Sequence, residues 1–127
     1  MTKKRRVIIV DDVPFLRKLL STFLSKNGYE TITAEDGASC LDHLSKGPFD
    51  VLISDVHMPI MDGIELASLT KKLYPNTAII LITGYDSDQL SQTVLQLGVH
   101  DYLVKPVNLD RLRRSVESAA SQADKSA

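Results

Sequence analysis

Four short apolar runs, each leading into a polar residue, limit what this 127-residue chain can fold into. Val7-Ile8-Ile9-Val10 runs into Asp11-Asp12, and Val51-Leu52-Ile53-Ser54 into Asp55. Ala78-Ile79-Ile80-Leu81-Ile82 ends in Thr83-Gly84, and Tyr102-Leu103-Val104 in Lys105. Continuous Val/Ile/Leu runs read as strands covered on both faces, as in a parallel sheet. Ligands of open parallel α/β sheets bind outside the carboxyl ends of the strands. Four such ends therefore deliver Asp11, Asp12, Asp55, Thr83 and Lys105 to one rim.

Amphipathic stretches alternate with these runs. From Val13 to Lys26, Leu16, Leu19, Leu20, Phe23 and Leu24 make the i, i+3, i+4, i+7, i+8 stripe of a helix packed on a sheet. Pro14 suits its first turn and Gly28 its stop. Tyr29 to Ala34 alternates weakly, as a less buried strand does. A short helix over about Ala38 to Ser45 stops at Gly47-Pro48. Ile64 to Leu73 is helical and is broken by Tyr74-Pro75-Asn76. Asp86 or Ser87 caps a helix carrying Leu90, Val94 and Leu97, which Gly98 ends. A last helix begins near Asn108 and carries Leu109, Leu112, Val116 and Ala120.

Five βα units are too few for an eight-stranded barrel and suit a doubly wound α/β sheet with helices on both faces. Right-handed crossovers leave few topologies, of which strand order 2-1-3-4-5 is the commonest for five strands. Its switch point falls between the first and third strands, where Asp11-Asp12 and Asp55 lie.

The remaining composition narrows the function. Fifteen Lys and Arg against 16 Asp and Glu leave a formal charge of −1, which argues against a dedicated nucleic-acid binder. No apolar stretch approaches the ~20 residues that span a bilayer. The basic start, Met1 to Arg6, is followed by an apolar run that Asp11-Asp12 interrupts, so it is not a signal peptide. A single cysteine, Cys40, fits a reducing cytosol, and His43, His57 and His100 lack metal-ligand spacing. Residues 121–127 are small and polar, a frayed helix end or a tail.

Crowded acids with one lysine and one hydroxyl suit a divalent cation and a phosphoryl group. A carboxylate is a weak nucleophile toward an anionic phosphoryl group, since like charges about 4 Å apart repel by about 4 kcal/mol at an effective dielectric near 20. Mg²⁺ takes one or two carboxylates plus a phosphate oxygen, and phosphoryl transfer needs mainly positioning and charge neutralisation. No Gly-rich Lys-Ser/Thr loop is present to bind a nucleotide donor.

The segment Asp55-Val56-His57-Met58-Pro59-Ile60-Met61-Asp62-Gly63 closely resembles the loop after the third strand of response-regulator receiver domains. The acidic pair, Thr83-Gly84 and Tyr102-Leu103-Val104-Lys105-Pro106 extend the resemblance from about Arg6 to Ala120. It implies a flavodoxin-like fold of five strands and five helices, so the strand order is in part inherited from the family. It also implies a receiver domain over residues 1–120, with 121–127 as a polar tail or the start of a linker. Asp55 would be the phosphoacceptor, and Mg²⁺ (or Mn²⁺) would be held by Asp12, Asp55 and the backbone carbonyl of His57. Asp11 would act at the metal directly or through its water shell. Thr83 and Lys105 would bind phosphoryl oxygens, Tyr102 would be the aromatic switch, and the bond before Pro106 is expected to be cis, as in many receivers.

The implied partners are a sensor histidine kinase or phosphotransfer protein and a downstream effector, with no direct nucleic-acid or membrane contact. The effector would meet the face of the fourth helix, fifth strand and fifth helix, drawn from Asp86 to Leu97, Asp101 to Val104 and Asn108 to Glu117. The same face would serve a homodimer. His57 and Tyr85 stand two residues past Asp55 and Thr83, where their side chains would crowd a hydrolytic water and lengthen the phosphate lifetime. The expected role is a cytoplasmic signalling domain that is not an enzyme beyond its own phosphorylation and dephosphorylation. Two alternatives stay open: the N-terminal receiver of a longer transcriptional regulator, and a haloacid-dehalogenase-like phosphatase. The second would want an acid where His57 stands.

Overall fold

The computed structural model describes the backbone of residues 4–126 and the side chains of residues 4–121. The first half of the basic start and Ala127 lie outside these described residues. Five strands and five helices alternate: β1 (Arg6–Val10), α1 (Pro14–Lys26), β2 (Glu30–Ala34), α2 (Gly37–Ser45), β3 (Val51–Asp55), α3 (Gly63–Leu73), β4 (Ala78–Thr83), α4 (Asp88–Leu97), β5 (Asp101–Val104) and α5 (Leu109–Ser126). All neighbouring strands pair in parallel, in the order β2-β1-β3-β4-β5.

Apart from Arg6, Ser54 and the rim residues Asp55 and Thr83, the central strands are apolar, because both of their faces are covered. Ile8, Val10, Leu52, Ile79 and Leu81 pack under α2, α3 and α4, against Cys40, Leu44, Leu66 and Val94. Val7, Ile9, Ile53, Ile80 and Ile82 face the other way, onto Leu20 and Leu24 of α1 and Leu112 and Val116 of α5. Each such fully buried side chain contributes about 1.5–3 kcal/mol, so this double layer holds the strand ends in place.

The structure moves some boundaries of the sequence reading and decides between alternatives at others. Tyr29 stays outside β2, because its N–H closes the end of α1 on the carbonyl of Leu24 at 3.2 Å. Gly28 takes φ +93°, the left-handed turn that a side chain would resist. Ser87, rather than Asp86, caps α4, its hydroxyl accepting the N–H of Leu90. Leu19 of the α1 stripe is exposed, leaving Leu20 and Leu24 as the buried contacts. The backbone of α5 stays helical through Ser126, so most of the polar end read over residues 121–127 continues that helix.

Candidate functional site

β1, β3, β4 and β5 end on the same edge of the sheet, as parallel pairing requires. The register sets Asp55 against Ile82 and Thr83 against Val104, one residue before Lys105. The residues expected at the rim therefore meet there. Carboxylate oxygens of Asp11, Asp12 and Asp55 all lie within 4.8 Å of one another. Asp11 and Asp55 are 2% and 4% exposed, whereas Asp12 faces solvent. Lys105 reaches in from β5, its Nζ 3.0 Å from Asp55 Oδ2 and 4.0 Å from Asp11 Oδ2. The other Asp55 oxygen accepts the backbone N–H of His57 at 3.3 Å.

Burial pushes the Asp11 carboxyl above its ordinary range. The Val13 N–H opposes that shift, the Asp55 carboxylate reinforces it, Lys105 opposes it and Asp12 reinforces it again, with an upward net result. Three carboxylates share one lysine, so the pocket carries an excess of negative charge. Its donors are all hard oxygens, the set that suits Mg²⁺, Ca²⁺ and Mn²⁺.

The loop from Val56 to Gly63 frames the rim. The Gly63 N–H bonds the Val56 carbonyl at 2.8 Å, which closes the loop at its base. A Cβ at position 63 would press into the Asp55 carbonyl oxygen and sit 2.8 Å from Val56 Cα, so only glycine lets α3 start this close to β3. Asp62 and Glu65 then form a capping box around the first turn of α3. At the loop's tip, Ile60 is fully exposed at φ +70°.

Thr83 is buried, its hydroxyl donating to the Tyr85 carbonyl and accepting the Tyr85 N–H, both at 3.0 Å. Beside it, a cleft of about 330 Å³ opens between the starts of α3 and α4, bordered by Val56, His57, Ile64 and Leu90. The side chains of Tyr85 and His57 stand out in solvent. Tyr102 is half-buried, its hydroxyl 2.6 Å from Ser91 Oγ and 3.1 Å from Asp86 Oδ1. The Lys105–Pro106 peptide bond is cis.

Sequence reasoning missed several groups around the site. Asp62-Gly63-Ile64-Glu65 before an apolar stretch is a readable capping-box signature. Ser91 and Asp86 as partners of Tyr102 left no signal, because their meeting depends on how α4 sits against β5. Nor did Arg17, which donates to the backbone carbonyl of Asp11 at 2.6 Å. On α5, Arg111 and Ser115 bond Asp101 at 2.8 Å each. His57 has no second acid beside Asp55 to offer, unlike the phosphatase alternative.

A five-stranded parallel sheet of this order, with paired acids, a central aspartate and a lysine on three strand ends, defines a class that the comparisons identify. The response regulator receiver domain profile matches residues 7–117, and the chain belongs to that family. It is 36% identical to the transcriptional regulatory protein GlrR of Escherichia coli over 95% of its own length and 27% of that protein. It is 37% identical to the sensor histidine kinase RcsC of Escherichia coli over 94% of its length and 13% of that protein. The chain thus spans well under a third of these relatives. The response regulator protein TrrA of Thermotoga maritima, solved in complex with Mg²⁺-BeF, matches at 34% identity and a TM-score of 0.82, over 91% of this chain and 98% of that one. No helix among the described residues is long and apolar enough to cross a membrane.

Proposed function

We propose that residues 1–120 are a cytoplasmic phosphoacceptor receiver, in which Asp55 takes a phosphoryl group from the phosphohistidine of a sensor kinase or phosphotransfer protein. The observation that carries this reading is the lysine–aspartate contact of 3.0 Å inside a cluster of three carboxylates. In the transfer, a carboxylate oxygen of Asp55 forms the new O–P bond as the N–P bond of the donor breaks, and the imidazole leaves with the electron pair. Lys105 orients the Asp55 carboxylate and places a positive charge where phosphoryl oxygens arrive.

The donor set fits Mg²⁺ (or Mn²⁺). Asp11, Asp12, Asp55 and the backbone carbonyl of His57 would hold it, Asp11 directly or through a water. When bound, the ion supplies the charge that offsets the surplus acids and draws phosphoryl oxygens in. TrrA, of the same fold and 34% identical, was solved with Mg²⁺-BeF, which supports the assignment by likeness.

A phosphoryl group on Asp55 gives the Thr83 hydroxyl a better acceptor than the Tyr85 carbonyl. Turning toward it frees the segment from Gly84 to Ser87, and the adjoining cleft gives that segment room. Asp86, in that segment, then releases the Tyr102 hydroxyl, and the face of α4, β5 and α5 changes shape for an effector or a second copy. This is a two-state element biased by a local charge event. Residues 121–127, helical in backbone through Ser126, would lead from this face toward a tail or a linker. Likeness to segments of GlrR and RcsC fits a receiver that works as one part of a longer regulator.

Incubation with acetyl phosphate and Mg²⁺ is expected to add about 80 Da, one phosphoryl group, by intact mass. The adduct should vanish without Mg²⁺ and in Asp55→Asn. Sustained turnover of assorted phosphate esters without an adduct would replace this reading with the phosphatase.

A further inference from the structure

We infer that Arg17 is a positioning residue for the cation site, acting through the backbone rather than on a ligand atom; the inference rests on the function proposed above. The turn between β1 and α1 must present two adjacent acids in opposite ways, Asp11 inward and Asp12 to solvent. Its usual means of fixing such a turn is absent, since Val13 occupies the N-cap of α1 and makes no side-chain cap. Three other bonds hold it. The Asp11 N–H reaches the Ala34 carbonyl of β2 at 3.3 Å, and Asp11 Oδ1 accepts the Val13 N–H at 2.8 Å. The third is the guanidinium of Arg17, one turn into α1, on the Asp11 carbonyl at 2.6 Å.

That carbonyl belongs to the peptide joining Asp11 to Asp12, so anchoring it fixes the plane from which both side chains depart. Arg17 is itself half-buried and its own N–H bonds the Val13 carbonyl at 3.1 Å, which ties its position to the start of the helix. The bond is charge-assisted and short, the kind that holds geometry well. Lys105 is the cation placed against the Asp11 and Asp55 carboxylates. Arg17 contributes alignment instead, as groups behind metal ligands generally do, and losing such a group typically weakens metal binding about 10–100-fold.

Mg²⁺ titrations of the phosphate-free protein, followed by amide shifts of Asp55 and His57, test this directly. Arg17→Met, which keeps the stem and loses the donor, is expected to bind Mg²⁺ about tenfold more weakly. Arg17→Lys, which keeps a donor, should stay within about threefold of wild type. With acetyl phosphate the loss should appear as a higher Mg²⁺ requirement, with the rate at saturating Mg²⁺ nearly unchanged. Should Arg17→Met not fold, Arg17→Gln, whose amide ends short of the guanidinium, takes its place with the same expected loss. Wild-type affinity in these variants, or equal losses in Arg17→Lys and Arg17→Met, overturns the role of Arg17 alone. A wild-type protein that binds no Mg²⁺ at this site overturns both it and the proposed function.

Discussion

Ile60 breaks two local rules at once. It is a β-branched residue at φ +70°, and its side chain is fully in solvent at the tip of the loop that follows Asp55. The left-handed conformation costs an L-residue about 1–2 kcal/mol. Ile60→Gly is therefore expected to raise the unfolding free energy by about 1 kcal/mol in urea denaturation. A destabilised variant would show that the isoleucine makes contacts outweighing its backbone cost. Tyr85 offers a second test at this scale. Its backbone makes both bonds to Thr83, so Tyr85→Ala removes the ring and leaves those bonds in place. If the ring shields the phosphoryl group, Asp55 should lose phosphate several-fold faster in the variant, followed by intact mass after the donor is removed. An unchanged or slower loss removes the shielding role.

β3 and α3 approach closely where Gly63 lies against the backbone of Asp55 and Val56. Gly63→Ala would drive a methyl group into the Asp55 carbonyl, and overpacking of this kind costs about 1–3 kcal/mol. Because the carbonyl belongs to the proposed acceptor itself, the rate of phosphorylation by acetyl phosphate should fall with the melting temperature. Asp62→Ala removes only the cap, and should cost about 1 kcal/mol with the phosphorylation rate nearly intact. The elements were legible because apolar runs of four or five residues admit little except a doubly covered strand. Their polar successors then had to share an edge. What the sequence did not reveal depends on short turns. Asp11 and Asp12 are chemically identical neighbours, and only the path of the chain between β1 and α1 decides which is buried. Ser87 and Asp86 are equally good caps by type, and the choice follows from Asp86 being engaged by Tyr102. Gly63 could be read as a helix start, but its near-contact with Asp55 arises from how closely two elements approach.

Across the whole molecule, two buried or half-buried carboxyls respond to pH in opposite senses. Burial pushes the Asp101 carboxyl up, but hydrogen bonds from Arg111 and Ser115, with the Arg111 charge and the Tyr102 N–H, outweigh it and hold it below the ordinary range. A lowered folded value adds stability above the unfolded value of about 3.9, and that stability is lost as pH falls through the folded one. The stability gap between wild type and Asp101→Asn should thus be steady above about pH 5 and shrink below about pH 4. Asp11 is raised instead, so its contribution is present below about 3.9 and lost as pH rises through the folded value. Without Mg²⁺ at neutral pH, Asp11→Asn should therefore melt higher than wild type. Crowding acids beside a single amine leaves the resting domain short of a counter-charge, and a cation filling the gap would favour the folded chain. At a hundredfold excess over its dissociation constant it would add about 2.7 kcal/mol, making the melting curve a gauge of free magnesium.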